Sequence, residues 1–487
     1  MKKIKFIPII ASAVLCLFSC INEPFSTNPE HKLAFSVDTV KFDTIFSTVP
    51  SYTVEIMIYN RNNKALNISE IRLLGGANSV FRFNLDGYTP TNDKVLSNIT
   101  IGANDSLFLL VETTLTENSD VVPVYIVDYL TFTVNNQQQS LVLEAYSQDA
   151  NILRSKTLAQ NTTFTAEKPY LVFDYLYIPA GKTLTIEAGT RIFMHKNAQI
   201  VADGNILSNG TVNQPVTIRG DRFDLAYVDI PYDYLPAQWG GITLQSESGE
   251  NRFTHTIIRS GTSGITFIGS PSIPVKLKVE NSVIHNMSSY GIVSQNADVE
   301  IINSEISNCG KSCVYILGGK LKMAHSTVAN YYYWHSGREA SLILKNFIVE
   351  DKVVYPFAIT SAVVENSIIF GGSSNELSLK DTTDITFNVL ISNSLIKGKK
   401  IERPEFQNVI WSYSQNGDAR ADIVFKNVPT SIDEIEKSYY DYQLVENSRA
   451  KDVANTAVAA QYPTDFFDKN RFSDGNPDLG AYEFFSE

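Results

Sequence analysis

The sequence predicts an all-β protein in two parts, a sandwich of antiparallel strands followed by a solenoid of stacked coils. Three features point there. Aromatic and β-branched residues are plentiful, with 24 Tyr and 27 Phe in 487 residues, while long helical patterns are scarce; such composition suits pleated, half-buried surfaces. Between residues 33 and 147, short alternating segments are punctuated by turn clusters. Beyond residue 169, an Asn-Ser pair beside a branched aliphatic recurs every 20 to 27 residues, a solenoid period. The chain is also too long for one compact core.

The N-terminus reads MKKIKFIPIIASAVLCLFSC. A basic start (Lys2, Lys3, Lys5) precedes an apolar run from Phe6 to Phe18 that is short for a bilayer span and built like a secretory signal. It closes on Leu17-Phe18-Ser19-Cys20, which resembles a bacterial lipoprotein cleavage box. The resemblance implies a signal peptide over 1–19, lipid on Cys20, a tether over 20–32, and attachment to the outer membrane of a cell envelope. Lipid chains would hold the protein by burying methylenes at roughly 0.8 kcal/mol each. The rival reading is a plain secretion signal with an incidental Cys. Loss of the leader takes the formal charge from −12 to −15. No basic stripe appears, which argues against nucleic acid as a partner.

Residues 33–150 are expected to form the sandwich. YTVEIMIYN places Val54, Ile56 and Ile58 on one face and Thr53, Glu55 and Met57 on the other. LFLLVETTL, YLTFTVN and QSLVLEAYS repeat the style, with GAND and NNQQQ as turns. The pattern resembles immunoglobulin-like domains of envelope proteins, and a spacer that lifts or caps the next domain is the expected role.

Residues 151–487 carry the repeats. Aligned on the Asn of Asn-Ser, the anchors are His255, Asn281, Asn303, His325, Asn346, Asn366 and Asn393. Three positions on stand Ile258, Ile284, Ile306, Val328, Val349, Ile369 and Ile396; two positions before stand Phe253, Val279, Ile301, Met323, Leu344, Val364 and Ile391. The second position is Ser or Thr everywhere except Phe347. One geometry accounts for these columns. A strand ends on an inward apolar residue, the chain turns at the Asn, which tolerates left-handed backbone, and the next strand points a small polar residue and an aliphatic inward. Each aliphatic so buried contributes roughly 1.5–3 kcal/mol.

GKTLTIEAGTRIFMHKNAQIVADGNILSNGTVNQPVTIRGDR from Gly181, QWGGITL from Gln238 and the closing GNPDLGAYEF from Gly475 are similar to coils of right-handed parallel β-helix proteins of the pectate-lyase-like superfamily. With the lipoprotein box, the resemblance is to β-helix lipoproteins of Gram-negative bacteria. It implies the fold over residues 151–487, with an excursion loop at 221–238 and an irregular C-terminal segment at 430–475. It implies activity weakly, because one β-helix hosts lyases, hydrolases, epimerases and inert scaffolds. Lyases of the superfamily hold calcium with stacked carboxylates and use an Arg or Lys base.

The outward column Ile257, Val283, Glu305, Thr327, Ile348, Ile368 and Leu395 is mostly apolar, so another segment is expected to cover it: the first domain, the irregular C-terminal region or a partner. The excursion carries Asp221, Asp224, Asp229 and Asp233, which could bind Ca2+, form an acid/base site for glycosidic bonds, or simply face water and pair with local Arg. Successive turns carry MSSYG, CGKSC and YYYWHSGRE, so that Tyr290, Tyr331, Tyr332, Tyr333, Trp334 and His335 could form an aromatic shelf for sugar rings; packing beneath the first domain or the tail is the structural alternative. Cys309 and Cys313 could close a small disulfide or be two small residues in a turn. His255 and His325 take the corner Asn position, and His195 and His285 stand apart from other chemistry. No catalytic residue is assigned and no cofactor is required. The expectation is a lipid-anchored envelope protein acting as a non-catalytic glycan-binding or scaffold module. The alternatives are a polysaccharide lyase or glycoside hydrolase, and a subunit of an envelope assembly, with membrane, polysaccharide or another envelope protein as partner.

Overall fold

The computed structural model describes residues 24–117, 122–227, 230–245, 248–270, 276–334, 336–413, 424–429, 431, 434 and 439–485. The leader and Cys20 lie outside them. The chain divides between Asp149 and Ala150 into two compact units.

The first unit has two sheets. One orders Ala34–Phe35, Val54–Asn60, Asp105–Thr113 and Phe81–Leu85, all antiparallel. The other orders Thr39–Phe46, Gln137–Gln148, Val124–Val134, Leu66–Leu73 and Val95–Ile101, with only its first pair parallel. Ile56, Ile58, Leu109 and Val111 from the first join Ile68, Ile71, Phe132 and Leu143 from the second in a single core. Asn135 and Asn136, at φ of 49° and 61°, make the two-residue turn between Val134 and Gln137; that twist is the one that suits a hairpin, and Asn reaches it readily.

The second unit is built on a 26-stranded sheet with parallel pairing between equivalent strands of successive rungs. In one file Ile218, Ile258, Ile284, Ile306, Val328, Ile369, Ile396 and Trp411 pair in register. All but Trp411 are fully buried, and Trp411 packs against the same core. Rungs spaced about 4.8 Å apart place like side chains in contact.

The corners have a specific chemistry. His255, Asn281, Asn303, His325, Asn366 and Asn393 all sit at φ between 41° and 47°. The residue after each corner has a buried N–H that needs an acceptor. The N–H of Thr256 donates to Ser282 Oγ (3.0 Å), Ser282 to Ser304 (3.1 Å), Ser304 to Ser326 (3.3 Å), Ser326 to Ser367 (3.2 Å) and Ser367 to Ser394 (3.2 Å). Each hydroxyl then donates to the carbonyl two residues before it, as Ser304 does to Ile302 (2.7 Å) and Ser367 to Glu365 (2.7 Å). The small polar column is therefore a hydroxyl ladder running across rungs.

Two expectations need correction. Asn346 is not a corner: it is absent from the left-handed residues, and Leu342–Lys345 is registered on Val314–Leu317 in a different file. Phe347–Glu350 folds back on Val353–Pro356 as a separate hairpin, turning at Asp351 and Lys352 (φ 49° and 67°) and leaving Val349 exposed. The true successor of His325 is Asn366, 41 residues on and paired through Val328 and Ile369. A rung lengthened by a hairpin is nearly two periods long, and Asn346 falls by chance at its midpoint. The column instead gains Asn408 (φ 53°), whose following strand brings in Trp411. Of the two readings left open for Cys309 and Cys313, the structure has the one without a disulfide: both are buried free thiols within the core.

The C-terminal segment covers the outer stripe at Ile368 and Leu395, while Ile348 is carried off on the hairpin and Ile257 and Val283 are half-buried. Ile368, Leu395, Ala329 and Phe370 pack with Phe425, Tyr442, Leu444, Leu479, Ala481 and Tyr482. The corners fasten this segment: Asn303 Nδ2 donates to the Thr464 carbonyl (2.9 Å), and Asn366 exchanges two bonds with the Asn455 backbone (2.9 and 2.8 Å). Gly480, at φ 89°, lies so close that a Cβ there would meet Thr327 Oγ1 at 2.7 Å and Ile368 Cδ1 at 2.8 Å, which accounts for the glycine in the closing motif. Fully buried Arg471 pairs with Glu483 at 3.0 Å and bonds Asn303 Oδ1 at 3.2 Å.

Two predictions follow the packing. Ile306→Ala removes a side chain of the buried file and should lower stability by about 2–5 kcal/mol; Val349→Ala, indistinguishable in the repeat, should stay within about 0.5 kcal/mol in the same denaturant titration. The closure should also sense pH. Burial pushes the Glu483 carboxyl up to about 8 and that of Asp478 up to about 6, from 4.5 and 3.8. The folded segment thus holds protons that the unfolded chain releases earlier. Their contribution is complete below about pH 4, declines as pH rises and is gone above about pH 8. Protection of the Leu479 and Ala481 amides against exchange should fall across that window, and Glu483→Gln should flatten the fall.

Candidate functional site

The residues beside the buried aliphatic file form a second, polar file. Arg219, Arg259, His285 and Ser307 occupy it on successive rungs, followed by Ala329, Phe370 and Lys397. The excursion loop supplies the counter-charge. Its one-turn 3-10 segment Tyr232–Tyr234 is pinned by Gln238, whose Nε2 donates to the carbonyls of Tyr232 (2.6 Å) and Leu235 (2.8 Å). Asp233 is thereby set between two guanidinium groups, 3.0 Å from Arg219 Nε and 2.7 Å from Arg259 Nη2. Burial lowers the Arg219 pKa, and the adjacent Asp233 carboxylate works against that shift.

Below Arg259 the file continues into a His–Ser–Glu chain. His285 Nδ1 lies 2.6 Å from Ser307 Oγ, which donates to Glu305 Oε1 at 2.5 Å, while Tyr482 Oη donates to Glu305 Oε2 at 2.5 Å. A nucleophilic triad needs the acid on the far nitrogen of the His, holding its tautomer. Here Glu305 and Ser307 lie on the same nitrogen's side, and His285 Nε2 has no hydrogen-bond partner among the described residues. Ser307 is fully buried. Tyr439 lies across the file, stacked on Tyr234 (centroids 4.0 Å) and edge-on to His285 (5.1 Å), and burial raises its pKa well above the usual phenol value. The arrangement binds the excursion and the C-terminal segment to the rungs, and His285, Ser307 and Glu305 are buried within it. His285, which the sequence leaves apart from other chemistry, is thus central to it.

The predicted acids fall into separate pairs. Asp221 meets His195 Nδ1 at 2.7 Å, so His195 too has a partner. Asp224 pairs with Arg222, Asp233 with the two arginines, and Asp229 lies outside the described residues. Calcium takes six to eight oxygens from one cage; among the described residues no three His, Cys, Asp or Glu side chains are grouped as ligands.

The turns that carry the predicted aromatics do stack, as Gly310 N–H donating to the Met287 carbonyl (2.9 Å) and Glu339 N–H to the Lys311 carbonyl (2.9 Å) show. The side chains nevertheless part. Tyr332 is buried, and burial pushes its hydroxyl up to about 12. Tyr331 packs against the C-terminal cluster beside Phe425 and Tyr442. Tyr333 and Trp334 stack on each other at 5.2 Å, and Tyr290 packs with Tyr315 (5.7 Å) beneath Lys311. His335 lies outside the described residues. The repeat sets Arg259, His285 and Ser307 in one column of the sequence, and carrying it one rung upstream, where Ile218-Arg219 matches Ile258-Arg259, adds Arg219.

No protein-family model matches the sequence, and no curated protein matches it. Among solved structures, one similar segment belongs to a family 123 glycoside hydrolase from Clostridium perfringens, with 8% identity and a TM-score of 0.17, over 24% of this chain and 26% of that one. Another belongs to the ASH/PapD-like domain 7 of human CEP192, with 10% identity and a TM-score of 0.18, over 27% of this chain and 96% of the domain. The chain spans about a quarter of the hydrolase chain. Likenesses this slight carry no argument about fold or activity.

Removing Asp233 tests the reading of the polar file. Asp233→Ala leaves Arg219 and Arg259 without their shared counter-ion and should cost about 3 kcal/mol or more. Asp221→Ala breaks a pair whose His195 side chain is 43% exposed and should cost less than about 1 kcal/mol in the same titration.

Proposed function

We propose that this is a lipid-anchored cell-envelope protein whose second unit is a right-handed parallel β-helix of the pectate-lyase-like kind, carried behind an immunoglobulin-like sandwich, and that it works as a non-catalytic glycan-binding or scaffold module. One observation carries the reading. The polar file Arg219–Arg259–His285–Ser307, the row of side chains best suited to acid–base work on the rungs, is tied up in internal pairs beneath the excursion loop and the C-terminal segment. A face used to fasten the molecule is not offered to a polymer. The anchoring rests on the lipoprotein-like box at Cys20.

A second reading, the assembly subunit, is favoured by the hairpin Phe347–Pro356. It belongs to neither large sheet, and Val349, Val353, Val354 and Tyr355 stand 45–56% exposed on it. Two-stranded hairpins are marginal alone, and clustered exposed apolar side chains mark contact surfaces.

Incubation with acidic and neutral polysaccharides, with and without calcium, should give binding without new reducing ends or unsaturated products; turnover lost in an acid-to-amide variant would install the lyase or hydrolase in its place. Fatty-acid labelling of expressing cells should mark the wild type and not Cys20→Ala. For the second reading, Val353→Asp with Val354→Asp should abolish a discrete envelope complex without shifting the unfolding midpoint.

A further inference from the structure

The five-stranded sheet of the first unit has an uncovered face of unusual composition. Along Val124–Val134 the exposed positions are Tyr125, Val127 and Tyr129, alternating with half-buried neighbours. The adjacent strand sets Tyr146 opposite Tyr125 and Glu144 opposite Val127, and the next strand sets Lys41 beside Glu144. The three tyrosines are 50%, 42% and 44% exposed in chain order, so their rings face solvent. Tyr125 and Tyr146 lie at 5.3 Å between centroids, tilted by 49°. Glu144 accepts from Tyr125 Oη at 2.8 Å and lies 3.6 Å from Lys41 Nζ.

We propose that this face binds a neutral glycan chain, which deepens the glycan-binding reading above and rests on it. Tyr125 and Tyr129 lie four residues apart on one strand, about 13 Å, so the aromatic row is longer than one sugar ring and suits an extended oligosaccharide. Tyrosine offers an apolar ring and a polar tip together, the pattern of a pyranose with its C–H faces and equatorial hydroxyls. The Glu144–Lys41 pair at the centre supplies an acceptor and a donor for those hydroxyls. Because the Glu144 and Lys41 charges answer each other, the centre of the row presents no net charge to recruit an acidic polymer. A protein partner would instead favour an uncharged centre. The aromatics of the second unit fit less well, since Tyr332 is buried and Tyr333 and Trp334 cover one another.

The test is affinity electrophoresis of the purified full chain through galactomannan, xyloglucan, amylose and polygalacturonate, with sedimentation of the same samples. At least one neutral polysaccharide should retard the wild type. Tyr125→Ala with Tyr129→Ala should weaken that binding about tenfold or more, Glu144→Gln should weaken it less, and Tyr88→Ala, an exposed tyrosine elsewhere on the unit, should not. Unchanged unfolding midpoints guard against misfolding. Undiminished binding by the double variant would overturn this placement and leave the glycan-binding reading standing, whereas no retardation of the wild type by any polymer would remove both. Retardation by polygalacturonate alone would overturn the neutral ligand. Self-association of the wild type lost in the double variant would make the face a contact between copies.

Discussion

The second unit depends on a bond that crosses rungs at the corner. A left-handed Asn or His turns the chain sharply enough to bring two strands around one core. That turn leaves the next N–H buried, and the hydroxyl one rung on accepts it. Without the hydroxyl, each corner would bury an unmet donor, at a cost of about 1–3 kcal/mol. The aliphatic file fills the interior, but the hydroxyl ladder sets which residue lies over which, because a slip of one position would move every Ile and Val to the other side.

The corner side chains then do a second task. Asn303 and Asn366 look like members of a ladder of amides, yet their side chains hold the C-terminal segment. His255 and His325 accept from Asn281 (3.1 Å) and Asn366 (2.9 Å), which keeps both rings in the stack. Burial lowers the pKa of each, that of His325 well below the ordinary value, in keeping with neutral rings as acceptors. One row of residues thus shapes the rungs and anchors what covers them.

Much of this was legible in the sequence because the repeat is local. Six of the seven proposed corners are corners, and the apolar outer stripe announced a cover. Phe347 was the visible warning at the seventh, since an aromatic cannot replace the hydroxyl in the ladder. Contacts between distant stretches were not legible. Nothing in a repeat tells that Tyr439 will lie on His285, or that Asp233 will meet arginines from two rungs. The aromatic turns were placed correctly as backbone, but which tyrosines face out depends on where the C-terminal segment lies. In the first unit the signal was plain alternation: Tyr125, Val127 and Tyr129 share a face for the same period-two reason that Ile56 and Ile58 share the core.

The cover also gives synthesis a timetable. Glu305 is bonded by Tyr482, 177 residues later. At roughly 5–20 residues per second, the rungs around Glu305 stay unsealed for on the order of ten to thirty seconds after they emerge. Until the C-terminal segment docks, Ile368 and Leu395 are greasy and bare, and a chain stopped short of it presents an apolar stripe to its neighbours.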